Sequence, residues 1–199
     1  LVQTKDVVNK KIFFNNHYPY FSSTSSSWLD HAKEYVLKIS KKLKLNKKKF
    51  VIELASNDGY LLQYFKKKGI PCMGIEPSKN TSNIAKKKGI KTLDKFFSYN
   101  LAKKIKNKAD LIIGNNVYAH VPNLNDFTKG IKELLKQKGT VTLEFPHLLN
   151  LIKYSQFDTI YHEHFSYFSL LTVKNIFQKH QLKIFFVEKL GTHGGSLRI

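Results

Sequence analysis

The chain has 199 residues, 42% hydrophobic and 24% charged, which suits one globular domain with a sizeable core. No apolar run approaches the roughly 20 residues of a membrane span, and a lone cysteine, Cys72, excludes a disulfide framework or a cysteine-based zinc site within the chain. The net charge of +20 is carried almost wholly by lysine, whereas base and phosphate recognition by paired hydrogen bonds prefers arginine, of which Arg198 is the sole example.

Ser22 to Ser27 reads as a serine-rich turn whose last residue N-caps an amphipathic helix from Trp28 to Lys41. Phe50 to Leu54 and Leu111 to Ile113 are short apolar runs of the kind that form buried parallel strands. Three junctions repeat one pattern: Lys66 to Gly69 before Ile70–Ile75, Lys86 to Gly89 before Ile90, and Lys136 to Gly139 before Thr140–Phe145. Each predicts a helix ending in cations near its negative dipole end, a glycine just past the end, and then a strand. Ser169 to His180 predicts a helix, Leu182 to Leu190 a strand, Gly194–Gly195 a turn, and Ser196 to Ile199 a last strand. Alternating strands and helices imply a parallel sheet with right-handed crossovers and helices on both faces. A late antiparallel pair makes this the outline of the seven-stranded mixed sheet of a class I, Rossmann-like methyltransferase. No internal repeat beyond the strand–helix unit and no second domain are visible. The lysine triplets Lys66–Lys68 and Lys86–Lys88 read as solvated helix ends, although a phosphate-bearing substrate would also favour such a field.

In open α/β sheets ligands bind beyond the carboxyl ends of the strands, and three segments fall there. The first, Glu53-Leu54-Ala55-Ser56-Asn57-Asp58-Gly59, has the spacing of an acidic, glycine-rich cofactor loop with Ala55 and Asn57 in place of two glycines. It does not fit the dinucleotide fingerprint, whose three glycine places hold Ala55, Asn57 and Tyr60. The second is Gly74-Ile75-Glu76-Pro77, where Glu76 is placed to accept hydrogen bonds from both ribose hydroxyls; a carboxylate favoured by a helix start is the plainer alternative. The third holds Asn115 and Asn116, able to bond an amino-acid or adenine moiety, followed by His120, a candidate substrate contact. A fourth cluster, Tyr161-His162-Glu163-His164, puts phenol, imidazole and carboxylate within four residues. It lacks the spacing of a helical zinc-protease motif, and no metal site is expected. It serves either acid–base chemistry or structure.

These segments together resemble the sugar C-methyltransferase family, which builds branched deoxysugars. The resemblance runs through Tyr20-Phe21-Ser22-Ser23, Glu53–Tyr60, Gly74–Ser78, Asn115-Asn116 with Ala119–Pro122, Glu144–His147, Phe157–His164 and Thr192–Ser196, nearly the whole chain. It implies an S-adenosylmethionine-dependent C-methyltransferase acting beside the keto group of a dTDP-linked 4-keto-deoxysugar. It implies His164 as general base, with Tyr161, Glu163, His120 and Tyr20 orienting it or stabilising an enolate. The cofactor residues it implies are Glu53, Ala55, Ser56, Asn57, Asp58, Gly59, Glu76, Asn115 and Asn116. Residues 1–45 are then a helical and loop segment contributing to the active site, and 46–199 the cofactor-binding core. The family's zinc-binding N-terminal and α/β C-terminal modules do not occur in these residues, and the chain, which opens on Leu1, reads as a piece of a longer protein. A cytoplasmic setting is expected, with no specific nucleic acid and no membrane among its partners. Two other readings stay open: methyl transfer to another acceptor, RNA included, and a noncatalytic nucleotide-binding domain.

Overall fold

The computed structural model describes residues 1–4 and 19–199. Strand β1 (Val2–Gln3) pairs with β7 (Ser166–Tyr167) in a small antiparallel ribbon apart from the main sheet. The main elements follow as α1 (Ser26–Lys42), β2 (Val51–Leu54), α2 (Leu62–Lys67), β3 (Cys72–Ile75), α3 (Lys79–Lys87), β4 (Thr92–Leu93), α4 (Tyr99–Lys104), β5 (Ala109–Asn115), α5 (Leu124–Leu134), β6 (Leu135–Pro146), α6 (Leu148–Lys153), α7 (Leu170–Lys179), β8 (Glu188–Leu190) and β9 (Ser196–Arg198). The sheet order is β4-β3-β2-β5-β6-β9-β8. All neighbours are parallel except β9, which runs antiparallel to both β6 and β8. This is the mixed seven-stranded sheet of class I methyltransferases. The chain winds outward from β2 to β4 and then back across to β5 and β6, so the reversal, where ligands bind in such sheets, lies between β2 and β5.

The sheet is covered on both faces, and the two-residue period of its strands divides them. Ile52, Leu54 and Ile112 pack toward Ala102, Phe127, Ile131 and Phe177 of α4, α5 and α7. Val51, Leu111 and Ile113 pack toward Ala32, Val36, Phe65 and Ala85 of α1, α2 and α3. Nearly continuous apolar strands are therefore required, and β2 and β5 supply them. None of the helices among the described residues is long and apolar enough to cross a membrane.

The glycine-terminated junctions hold at Gly69 and Gly89, whose φ values of 66° and 73° are left-handed. The third differs. The helix stops at Leu134, because Leu135 turns extended and pairs with Ala109, and Lys136–Gly139 become part of an irregular β6. Gly139 serves there by lacking a Cβ that would press on the Ala109 carbonyl. The cap of α1 is Ser25, not Ser27: its backbone is extended and its hydroxyl accepts the Trp28 N–H at 3.2 Å. Of the stretch Leu182–Leu190, Glu188–Leu190 alone is strand, since those three residues are the ones opposite β9. The lysine triplets make local contacts: Lys66 donates to the Lys88 carbonyl, Lys86 pairs with Asp94, and Lys88 with Asp58.

Candidate active site

A cavity of about 950 Å³ opens beyond the carboxyl ends of the parallel strands. On one wall the chain leaves β2 through Ala55 (φ 55°), Asn57 (φ 48°) and Gly59 (φ 78°), three left-handed residues at alternate positions. The places where cofactor loops carry glycine are thus left-handed here with non-glycine residues in two of them, a strain of about 1–2 kcal/mol at Ala55 and less at Asn57, since asparagine enters this region more readily. At Gly59 a Cβ would also strike Ile90, so glycine is required. The Asn57 N–H donates to Glu76 Oε2 at 2.9 Å and the Ser78 N–H to Oε1 at 2.8 Å. Each oxygen keeps a further lone pair for a ligand hydroxyl. Burial pushes the Glu76 carboxyl up, against the opposing pull of those backbone donors.

The Asn57 side chain is a clasp. Its oxygen accepts from the Ser22 and Asp58 N–H groups, both at 2.9 Å, and its nitrogen donates to the Tyr20 carbonyl at 3.1 Å. This draws the segment before α1 over the loop and puts Tyr20, Ser22 and Trp28 on the cavity wall. Among the expected cofactor residues, Ala55, Asn57, Glu76, Asn115 and Asn116 line the cavity. Glu53, Ser56, Asp58 and Gly59 are buried behind it. The Glu53 carboxyl is driven well above its ordinary range by burial, with the Tyr60 hydroxyl opposing. Asp58 instead accepts the Ser23 N–H at 3.3 Å and faces Lys88.

Residues 156–164 and the β8–β9 turn form a further wall with Tyr161, Glu163 and His164, and with Tyr20 before α1 and His120 after β5 the cavity gathers all five residues expected to act on substrate. His164 Nδ1 lies 2.8 Å from the Thr159 carbonyl oxygen, which can only accept, so Nδ1 carries the proton. Nε2 is left with its lone pair, and the Tyr161 hydroxyl donates to it across 3.0 Å. Burial lowers the His164 pKa, and the Thr159 carbonyl opposes that by favouring the protonated ring. His120 sits edge-on to His164, ring centroids 4.8 Å apart. Burial, and the neighbouring His164, lower its pKa to about 3, so it is neutral throughout the working range. Burial pushes the Tyr161 phenol up to about 12, helped by Glu163, so it stays a donor.

Despite the net charge of +20, no lysine or arginine lines this cavity among the described residues; Glu76, Asp158 and Glu163 do. Such a lining favours a cationic ligand. The Asn115 and Asn116 side-chain oxygens are buried and unpartnered, and thus matched to ligand N–H donors. With the free lone pairs of Glu76, this fits a ligand having ribose hydroxyls, an amine and positive charge, which S-adenosylmethionine has. No group of three or more His, Cys, Asp or Glu among the described residues is placed to hold a metal ion.

Three wall elements escaped the sequence-based assignment. Trp28 stacks on His31 and Tyr60 and meets His193 edge-on. Phe96 and Phe97 lie in the loop that leaves the carboxyl end of β4, past Asp94 and Lys95. His193 contacts Asn116 at 3.3 Å, a pairing 77 residues apart that has no local signal.

A family described as "Methyltransferase domain" matches residues 15–185. The C-methyltransferase NovU of Streptomyces niveus is 32% identical over 99% of this chain and 47% of its own length. The chain therefore spans about half the length of this curated relative. Among solved structures, a magnesium protoporphyrin IX methyltransferase from Synechocystis with bound SAH superposes with a TM-score of 0.64 at 13% identity, covering 86% of this chain and 80% of that one. An S-adenosylmethionine-dependent methyltransferase from Clostridium acetobutylicum gives 0.67 at 12% identity, covering 85% and 89%. These last two establish the fold. The chain belongs to the methyltransferase-domain family.

Proposed function

We propose that this domain methylates a carbon beside the keto group of a nucleotide-linked 4-keto-deoxysugar, dTDP being the nucleotide. The observation that carries the reading is the fixed tautomer of His164. Oxygen and nitrogen acceptors have a lone pair ready, but carbon beside a ketone has none until a proton leaves. A neutral imidazole on the cavity wall, with its Nε2 lone pair met by the Tyr161 hydroxyl, is the group such a step needs. The resemblance of the 157–164 run to sugar C-methyltransferases and the identity to NovU support the same assignment.

When bound, S-adenosylmethionine supplies an electrophilic methyl group on a positively charged sulfur. Glu76, Asn115 and Asn116 would hold it. The α C–H bond of the sugar breaks, its proton passes to His164 Nε2, and its electron pair moves into the carbonyl to give an enolate. Nδ1–H stays on the Thr159 carbonyl and shares the positive charge of the imidazolium. Tyr161, a phenol that keeps its proton, turns from Nε2 to the developing oxyanion. His120 and Glu163 sit beside the pair, and Tyr20 closes the cavity from the N-terminal side. His164 returns its proton to water. No cation lines the described cavity, so the diphosphate of the acceptor stays outside it and the uncharged hexose ring enters. The local contacts of Lys66, Lys86 and Lys88 support reading the lysine triplets as solvated helix ends rather than a nucleic-acid interface.

The test is a dTDP-4-keto-6-deoxyhexose incubated with the protein and S-adenosylhomocysteine in deuterated water. Exchange of the α-proton is expected, as is a carbon-bound methyl by NMR when the methylated cofactor is supplied. Methyl found on oxygen or nitrogen would overturn the proposal.

A further inference from the structure

We propose that Gln156 and Thr159 are positioning residues for His164, the links of a hydrogen-bond chain that runs from the β8–β9 turn to the imidazole. This rests on the assignment of His164 as base. The Gln156 Nε2 donates to the Gly194 carbonyl at 2.7 Å. The Gln156 carbonyl accepts from the Thr159 hydroxyl at 2.9 Å and from its N–H at 3.3 Å. The Thr159 carbonyl accepts His164 Nδ1–H at 2.8 Å. Gly194 and Gly195 have φ values of 69° and 111°, and a Cβ on either would strike Gln156 or Asn150. The turn is therefore shaped to receive these two side chains.

The stretch needs such a tie. Helix α6 buries none of its residues, and Leu149, Ile152, Phe157 and Ile160 are all more than half exposed. Apolar packing does not fix where the Thr159 carbonyl points; hydrogen bonds do. Once that carbonyl swings away, the imidazole is free to carry its proton on Nε2 instead, and that tautomer cannot take a proton from substrate. The imidazolium also loses an acceptor. The groups facing His164 are His120 after β5, Tyr161 and Glu163 of its own segment, Tyr167 of β7 and His193 of the β8–β9 turn. None of them replaces the Thr159 carbonyl at Nδ1.

Gln156→Met keeps the side-chain length and removes the donor. Thr159→Val keeps the shape and removes the hydroxyl, and Thr159→Ser restores it. With S-adenosylmethionine and a dTDP-4-keto-6-deoxyhexose, the first two variants are expected to lose kcat by about 10-fold or more. KM for S-adenosylmethionine should hold, and the acid limb of kcat should move to lower pH. Thr159→Ser should match wild type. Nitrogen NMR of the His164 ring should show the Nδ1–H tautomer in wild type and a mixture in the two impaired variants. A fall in kcat with tautomer and acid limb unmoved would make the role merely structural and overturn the proposal. Wild-type kcat in both variants, with His164→Asn inactive, would overturn it and leave the base assignment standing. Activity in His164→Asn would remove the base assignment instead, and the tautomer measurement would still decide whether the chain orients the ring.

Discussion

The two walls of the cavity are built by different means. One rests on β2, β3 and β5, where Val51, Ile52 and Leu54 are wholly buried and the loops are held by backbone bonds to a buried Glu76. The other hangs on 148–164, where α6 has no buried residue and the atoms facing the cavity are placed by single hydrogen bonds to carbonyls. Regular secondary structure thus fixes the wall proposed to hold the cofactor, and irregular chain fixes the wall proposed to face the acceptor. Changes on the first should act on cofactor affinity or stability, and changes on the second on the rate.

The largest expected effect lies on the irregular wall. His164→Asn should cost methyl transfer about 10²–10⁴-fold, with S-adenosylmethionine affinity unchanged by calorimetry. Since burial lowers its pKa, the wild-type acid limb should fall below the ordinary value of about 6.5. The sign follows from the base being the neutral form: activity is present above the folded pKa and lost as pH falls through it. An acid limb above that value would contradict the buried, neutral ring. A loss of cofactor affinity in His164→Asn would erase the distinction between the walls.

Next in size is the antiparallel edge. Glu144 on β6 is wholly buried, with Arg198 of β9 at 2.6 Å and His31 of α1 at 3.0 Å, and Thr192 donates to it at 3.0 Å. Arg198 also reaches Glu188 at 3.0 Å. Burial raises the Glu144 pKa, but His31 and Arg198 outweigh it and hold the carboxyl below its ordinary value. Arg198→Met takes the guanidinium from that buried carboxylate and leaves it His31 and Thr192 alone, and about 3–5 kcal/mol of stability should be lost in urea titrations at neutral pH. A depressed carboxylate stabilises above its unfolded pKa and ceases to as pH falls through the folded one. The gap between wild type and variant should therefore close toward acid pH. A gap that persists unchanged there would assign the loss to packing on Tyr35, over whose ring the guanidinium lies at 4.6 Å.

Legibility in the sequence divides along the same line. Gly69 and Gly89 at helix ends, the apolar runs of β2 and β5, and Glu76 after β3 are local signals, and the structure places them as those signals imply. The hook of Leu135 onto Ala109 is a contact across 26 positions, and residues 134–139 alone carry no mark of it. On the irregular wall the residue types of 161–164 suit acid–base chemistry or structure alike and do not tell which nitrogen bears the proton. That depends on the carbonyl of Thr159, a group every residue possesses. Asn57 was legible as part of a loop, yet its amide turned out to clasp Tyr20 and Ser22, a partnership 35 to 37 residues distant.

A smaller effect tests the regular wall. Glu76→Ala removes the acceptor offered to the ribose hydroxyls, and cofactor affinity should fall by about 1–3 kcal/mol. The Asn57 and Ser78 N–H groups lose their acceptor too, so the apo protein should also melt lower. Unchanged affinity by calorimetry would take Glu76 out of the cofactor site.

The smallest effect is the most direct reading of strain. Ala55 leaves β2 with φ at 55°, a conformation that crowds its Cβ against the backbone and costs an L-residue about 1–2 kcal/mol. Glycine adopts it freely but loses more chain entropy on folding, about 0.5–1 kcal/mol relative to alanine. The difference predicts that Ala55→Gly raises stability by about 0.5–1 kcal/mol, a direction opposite to the usual effect of glycine. The Ala55 side chain lines the cavity rather than filling the core, so its removal opens little buried volume. Thermal melts of the apo protein check the sign. A lower melting temperature would mean that the methyl group packs more than it strains, and the left-handed turn after β2 would then owe its shape to the clasp of Asn57 and the carboxylate of Glu76 alone.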